Sequence, residues 1–440
     1  MEMDKRRPPE TTGAPLASVP ERLEQVLREC APLEVVPAAL TQAAGLHLAE
    51  AIASGVDSPP FDKSMMDGYA VRSGDVTAAG TRLRLVGEVP AGGTFAGEVR
   101  AGQAVRIMTG APIPAGADTV VRLEETTLPD EQTVEIRTGS LRSGTNILRR
   151  GQMLRAGEVV LTAGRRLRAQ ELALLAELGR ATVEVYRRPR LAVLATGDEL
   201  VEPGQPLGPG QICNSNESLL LAQALEWGCE VTGLGIARDR PSELREKIEQ
   251  GLNSDVLILT GGVSMGARDL VPQVLSQLGV RQVFHKVHLK PGKPMWFGVR
   301  DPLPPPALGE TASRADHSRR CLIFALPGNP VSSMVCSELF VAPAVRALQG
   351  DSHPPWVPIV AQLTRDHVLR EDRPTYFPAR LSLREGNVQA TPTDWQGSAD
   401  LRSTIDANGV IVFPPGERAY RAGERVEVIP WSTSRWPACR

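Results

Sequence analysis

Residues 285–294 read HKVHLKPGKP and place three lysines, Lys286, Lys290 and Lys293, within eight positions. The 440-residue chain has 49 basic residues, of which 6 are lysine and 43 arginine, so half of its ammonium side chains stand in one short stretch. An ammonium is a compact point charge with rotatable donors, whereas a guanidinium is a flat fork that prefers bidentate partners. A tetrahedral oxyanion, or a pyrophosphate approached from several sides, calls for the former. If FHKVHLK is a strand, Lys286, His288 and Lys290 share one face and Val287 and Leu289 take the other. The Pro291-Gly292 turn then returns Lys293 towards Lys290. The plainer reading, a solvated basic turn, does not account for the choice of lysine. His288 reads as a polar neighbour rather than a ligand.

Three further stretches join an apolar run to a loop of glycine, acid or proline. RLAVLAT (190–196) runs into Gly197-Asp198-Glu199, and DVLILT (255–260) runs into Gly261-Gly262-Val263-Ser264-Met265-Gly266 and then Asp269. CLIFAL (321–326) runs into Pro327-Gly328-Asn329-Pro330, where Asn329 can cap a helix and Pro330 suits its first position. Glycine lets backbone N–H groups approach an anion, and a helix N-terminus adds a favourable partial charge. Taken singly, each loop has an ordinary meaning: a tight turn that needs positive φ, a helix-start acid, or turn chemistry. Three such junctions beside the lysine cluster point to a phosphate-bearing ligand.

Residues 188–350 alternate between strand and helix patterns, which means a mostly parallel sheet covered on both faces, with ligands collecting beyond the carboxyl ends of its strands. The insert at 301–320 reads as a surface loop. Before this region, 18–30 has helical spacing behind a Ser18 cap, and 46–146 changes to short alternating runs broken by glycine and proline. Helical pattern returns at 167–178 and closes at Gly179, so the β-rich module reads as an insertion into a helical framework. Within it, SPPFDKSMMDGYA (58–70) and RIMTGAPIPAGAD (106–118) carry too many small and acidic residues for a core strand and read as irregular surface loops. After Trp356, alternating runs indicate a final small β domain.

The net charge of −2 gives no general field for nucleic acid or anionic membrane, so an anionic ligand needs a local site. Six cysteines without CxxC pairs argue against a zinc site or a disulfide framework, and Cys229, Cys321 and Cys336 read as small core residues. No run approaches the roughly 18 apolar residues of a membrane span, and the polar N-terminus lacks the apolar stretch of a signal peptide. A cytoplasmic, reduced protein is the expectation.

The motifs PFDKSMMDGYAV, RIMTGAPIPAGADTVV, ATGDEL, GGVSMGARD, KPGKP, LPGNPVS and QGSADLRS resemble, in order and over about residues 21–430, the molybdopterin molybdenumtransferase family, of which the E domain of gephyrin is a eukaryotic member. The resemblance implies an α/β multidomain chain. Residues 1–17 would be a disordered lead-in, 18–45 with 146–187 a discontinuous helical linker domain, and 46–145 an inserted β-rich domain. Residues 188–354 would form a molybdopterin-binding three-layer α/β domain with a mostly parallel sheet, and 355–440 a C-terminal β-barrel.

The implied reaction inserts molybdate into adenylyl-molybdopterin with release of AMP, with Mg2+ as the divalent cation. The implied homodimer shares its site between subunits. Glu199, Lys286 and Lys290 would act from one subunit, and Asp67 and Thr109 from its mate. Gly261, Gly262, Ser264, Gly266, Lys293, Pro327, Asn329, Pro330, Arg380 and Ser398 would bind substrate. Glu199, Asp239 and Asp269 would hold the metal. A molybdopterin adenylyltransferase and apo-molybdoenzymes are the implied further partners, with no nucleic acid and no membrane.

Three departures concern carboxylates. Met153, Asn214 and Ala267 stand where the family usually has acids, so Met153 is read either as a lost ligand group or as a core-filling thioether. Two rival readings remain. A molybdopterin adenylyltransferase would need only residues 188–350, and a binding or scaffold homologue would tolerate the missing acids.

Overall fold

The computed structural model describes residues 16–262, 270–302, 319–353 and 356–432. The lead-in over 1–15, the glycine-loop residues 263–269 and most of the expected surface insert, 303–318, lie outside the described residues. The chain divides into two compact units. Met1–Ala49, Gly164–Arg168 and Thr182–Arg440 make one, and Glu50–Ala163 with Ala169–Ala181 make the other.

The centre of the first unit is a six-stranded sheet in the order Glu230–Ala237, Arg190–Thr196, Val256–Thr260, Cys321–Leu326, Trp296–Arg300, Arg281–His285. The first four strands are parallel to one another, Trp296–Arg300 runs against them, and Arg281–His285 pairs antiparallel with Trp296–Arg300. Alternation along each strand feeds two separate cores. Leu191, Val193, Val256, Ile258, Leu322 and Phe324 pack on one face with the helices Ser215–Glu226 and Pro330–Cys336. Ala192, Leu194, Leu257, Leu259, Ile323 and Ala325 pack on the other with Pro241–Gly251 and Val271–Gln277. Two-sided burial explains why these strands read as continuous apolar runs.

The amino ends of the strands are tied shut. Arg187 donates to both oxygens of buried Asp255 at 2.6 and 2.7 Å, and the Arg190 N–H adds a third bond at 2.8 Å. Pro330–Leu348 is the one helix among the described residues long and apolar enough to cross a membrane by length and composition, and it is 89% buried within the protein. Cys229, Cys321 and Cys336 are buried as expected, and burial pushes the thiols of Cys229 and Cys321 up to about 12.

A closed barrel of five strands follows, in the order Ile359–Leu363, Asn387–Pro392, Thr375–Arg384, Gly409–Phe413, Arg425–Pro430. The expected N-terminal helix is Val19–Arg28, opened by a reciprocal capping box between Ser18 and Glu21. The helical framework departs from expectation: Val35–Ala39 and Thr182–Tyr186 pair as antiparallel strands, and Ile147–Leu148 and Val159–Leu161 are short strands as well. Val183 and Val185 alternate with polar residues and bury one face, which selects strand.

The second unit holds a six-stranded sheet in the order Thr119–Arg122, Gly68–Val71, Gln103–Ile107, Thr81–Val89, Thr133–Ile136, Thr126–Asp130, together with the helix Ala169–Glu177. Here the sequence reading is corrected. Gly68–Val71 is a fully buried strand, although its first three residues fall in the stretch 58–70 read as surface loop. Gly68 makes this possible, because a Cβ there would stand 1.9 Å from the Val121 carbonyl oxygen.

Candidate active site

The carboxyl ends of Arg190–Thr196, Val256–Thr260 and Cys321–Leu326 open into a cleft of about 650 Å³. Gly261 and Gly262 form its floor, with φ of 91° and 62°. A Cβ on Gly261 would come within 2.5 Å of the Thr196 carbonyl, and one on Gly262 within 2.7 Å of Val271. Both glycines are therefore required for close packing as well as for their dihedrals. Ser264, Gly266 and Asp269, expected to continue this loop, lie outside the described residues.

Glu199 lines one wall of the cleft. Its carboxylate folds back over Gly197, where a Cβ would stand 2.5 Å from Oε2. The loop is held from the next strand by Arg238, whose Nη1 donates to the carbonyls of Gly197, Asp198 and Leu200 at 3.3, 2.8 and 2.9 Å. The neighbouring Asp239 N–H donates to Asp198 Oδ1 at 3.3 Å, so three acidic residues occupy two joined loops. Among the described residues, no three His, Cys, Asp or Glu side chains are grouped so as to hold a metal ion by themselves.

Pro327-Gly328-Asn329-Pro330 also lines the cleft. Pro330 opens the helix as expected, and Asn329 occupies its N-cap by backbone but makes no side-chain cap bond. Its amide donates instead to Ser398 Oγ at 2.7 Å, while Val331 N–H donates to the Ser398 carbonyl at 3.0 Å. Ser398 thus tethers the turn to the barrel's 396–399 loop. Asn216 fixes the turn from the other side, donating from Nδ2 to the Gly328 carbonyl at 2.7 Å. Asn214, the site of one lost acid, is buried and caps its helix by accepting the Glu217 N–H at 3.3 Å. Arg238 escaped the sequence reading, whereas Asp198 belongs to the acidic junction already read from the sequence. Its adjacency to Asp239 was the only signal of Arg238.

The lysine segment corrects another expectation. The strand ends at His285, because Lys286 takes the left-handed region at φ 74°. The alternation survives without the strand: Val287 and Leu289 are fully buried, and Lys286, His288 and Lys290 are partly exposed. The turn is seated on the core helix, since a Cβ on Gly292 would meet Cys336 Sγ at 2.4 Å. Lys293 is exposed, and its carbonyl accepts the Val287 N–H at 3.1 Å. Pro294 lines the 650 Å³ cleft, whereas none of the three lysines does. Arg380 lies apart, in a cleft of about 620 Å³ on the barrel with Arg365 and Arg402.

In the second unit, Asp67 Oδ1 accepts both the N–H and the hydroxyl of Thr109 at 2.7 Å. These bonds, the backbone one foremost, hold the Asp67 carboxyl below its usual range, so it stays charged at neutral pH. Met153 is 68% exposed, which removes the core-filling reading of that residue.

Three family models match in sequence order: the MoeA N-terminal region (domain I and II) over residues 17–179, a probable molybdopterin binding domain over 192–347, and the MoeA C-terminal region (domain IV) over 360–431. A molybdopterin molybdenumtransferase of Bacillus subtilis is 34% identical over 89% of each chain. One from Haemophilus influenzae is 36% identical over 89% of this chain and 93% of its own. A crystal structure titled as a molybdopterin biosynthesis moeA protein from Pyrococcus horikosii matches with a TM-score of 0.77 at 30% identity, covering 96% of this chain and all of that one.

Proposed function

This chain belongs to the molybdopterin molybdenumtransferase family, and from that premise we propose that it inserts molybdenum from molybdate into adenylyl-molybdopterin and releases AMP. The observation that carries the reading is the cleft at the carboxyl ends of the parallel strands, with a backbone floor at Gly261-Gly262 and a carboxylate wall at Glu199. Such a cleft suits a pyrophosphate-bearing ligand, because N–H groups can approach its oxygens without a side chain intervening. Lys286, Lys290 and Lys293 would meet the anionic groups as point charges. The turn at Pro327 and Pro330, steadied by Asn216 and Ser398, would shape the pocket, and Arg380, in its separate barrel cleft, would act only on a part of the ligand that extends there.

Mg2+ fits the donors present. Glu199 and Asp239, with Asp269, offer hard oxygens, and magnesium is commonly held by one or two carboxylates plus substrate phosphates rather than by an all-protein cage. When bound it would neutralise charge on the pyrophosphate oxygens. The reading further takes the protein as a cytoplasmic homodimer in which Asp67 and Thr109 of one subunit complete the site of the other.

The deciding experiment incubates the purified chain with adenylyl-molybdopterin and Mg2+, with and without molybdate, and quantifies AMP. Release that depends on molybdate supports the reading. Consumption of ATP and molybdopterin to form the adenylylated compound would mean an adenylyltransferase, and binding without turnover would mean a scaffold.

Two variants test the proposed carboxylates. Gly197→Ala is expected to displace the Glu199 carboxylate and to strain a position at φ 146°. It should cost about 1–3 kcal/mol of stability and lower AMP release about tenfold or more. Unchanged thermal unfolding and turnover would show that Glu199 need not sit there.

Met153→Asp restores an acid at an exposed position, so its effect on stability should stay within about 0.5 kcal/mol. The added ligand group, at about 1–3 kcal/mol, should lower the magnesium needed for half-maximal AMP release roughly tenfold. An unchanged magnesium curve would separate this departure from metal binding.

A further inference from the structure

Lys290 is bound to the C-terminal β domain by its backbone and by its side chain. Its N–H donates to the Pro374 carbonyl at 2.9 Å, and its own carbonyl accepts the Tyr376 N–H at 2.8 Å. Arg373 Nη1 donates to the preceding Leu289 carbonyl at 3.3 Å. These bonds lay Lys290 alongside Thr375 as a parallel bridge. They also bring its ammonium onto the carboxylate of Glu371, with which it forms an ion pair. Glu371 ends the strand His367–Glu371 and lines a barrel cavity of about 480 Å³. The 650 Å³ cleft, by contrast, is lined by Pro294 and by none of the lysines. The ammonium expected to receive an oxyanion is thus directed to a carboxylate on the two-stranded ribbon beside the barrel.

We propose that Glu371 sets the anion affinity of the site: it is the internal competitor that holds Lys290 in the anion-free protein and yields it to an incoming tetrahedral oxyanion. This rests on reading Lys290 as an oxyanion ligand. The pair can exchange, because its side chains are 32% and 24% exposed and water screens their attraction. A dianion such as molybdate offers the ammonium twice the charge that Glu371 does. Glu371 sits 81 positions away on the strand His367–Glu371, which pairs with Gly416–Tyr420, so a shift of this two-stranded ribbon would alter anion affinity without touching the cleft.

The test replaces Glu371 and reads Lys290 directly. Wild-type and Glu371→Gln proteins are treated with an amine-labelling reagent, and modification of Lys290 is followed by peptide mass spectrometry while molybdate or inorganic phosphate is titrated in. Glu371→Gln should label faster without anion and should be protected at about three- to tenfold lower molybdate, the span expected for losing a partly screened charge pair. In the AMP-release assay, KM for molybdate should fall by a similar factor while kcat moves less. Protection at equal or higher molybdate in Glu371→Gln overturns the proposal, since Glu371 would then be neutral or a helper. Failure of molybdate and phosphate to protect wild-type Lys290 overturns it as well. Lower-molybdate protection in a protein that releases no AMP would uphold it while refuting the proposed reaction.

Discussion

Lys290→Ala is expected to lower molybdate-dependent AMP release by about 10²–10³-fold, the range seen when one preorganised donor to a developing anion is removed. The protein should stay folded. The backbone bonds of Lys290 to Pro374 and Tyr376 do not need its side chain, and the lost pair with Glu371 is partly exposed and worth at most about 1 kcal/mol. Part of the loss would come from Glu371 itself, left without its counter-ion beside the arriving anion. Lys290→Arg should also be impaired, because a planar fork cannot follow a tetrahedral anion through the rotations open to an ammonium. Thermal unfolding separates folding from function in both variants. Full activity in Lys290→Arg would remove the reason for lysine in a chain that otherwise prefers arginine.

Mixing an Asp67→Ala subunit with a Lys290→Ala subunit is expected to restore activity that neither possesses alone. Asp67 and Thr109 bond each other on exposed loops of the second unit, so truncating Asp67 should remove a charged group without opening a core. If the site takes Lys290 from one subunit and Asp67 from its mate, the mixed dimer holds one intact site and one doubly disabled site. Random exchange makes half of the dimers mixed, so activity should recover to roughly a quarter of wild type. Native mass spectrometry establishes that exchange has occurred. A fully exchanged mixture as inactive as its parents would place both residues in a site within one subunit.

The alternating apolar runs and the turn residues between them were sufficient to place the parallel strands, the helices on both faces and the N-terminal cap at Ser18. The glycine floor was legible for the same reason, since positive φ at Gly261 and Gly262 is a demand on residue type at one position. At the lysine segment the sequence carried the burial alternation correctly but not the backbone, because nothing about a lysine announces φ 74°. The strand Gly68–Val71 was hidden because glycine and alanine look like loop residues until a neighbouring carbonyl is seen against them.

What the sequence determined by itself is whatever depends on neighbours in the chain: periodicity, capping, turn dihedrals, and the concentration of ammonium groups in one stretch. The tertiary structure alone decided the partners of those groups. Asn329 turned from its own helix to Ser398, Arg238 took the carbonyls of the Glu199 loop, and Glu371 took Lys290. Each of these contacts joins residues about 40 to 80 positions apart. A local pattern cannot encode which of many polar groups will arrive there, because that choice is made by how the sheet and the barrel pack.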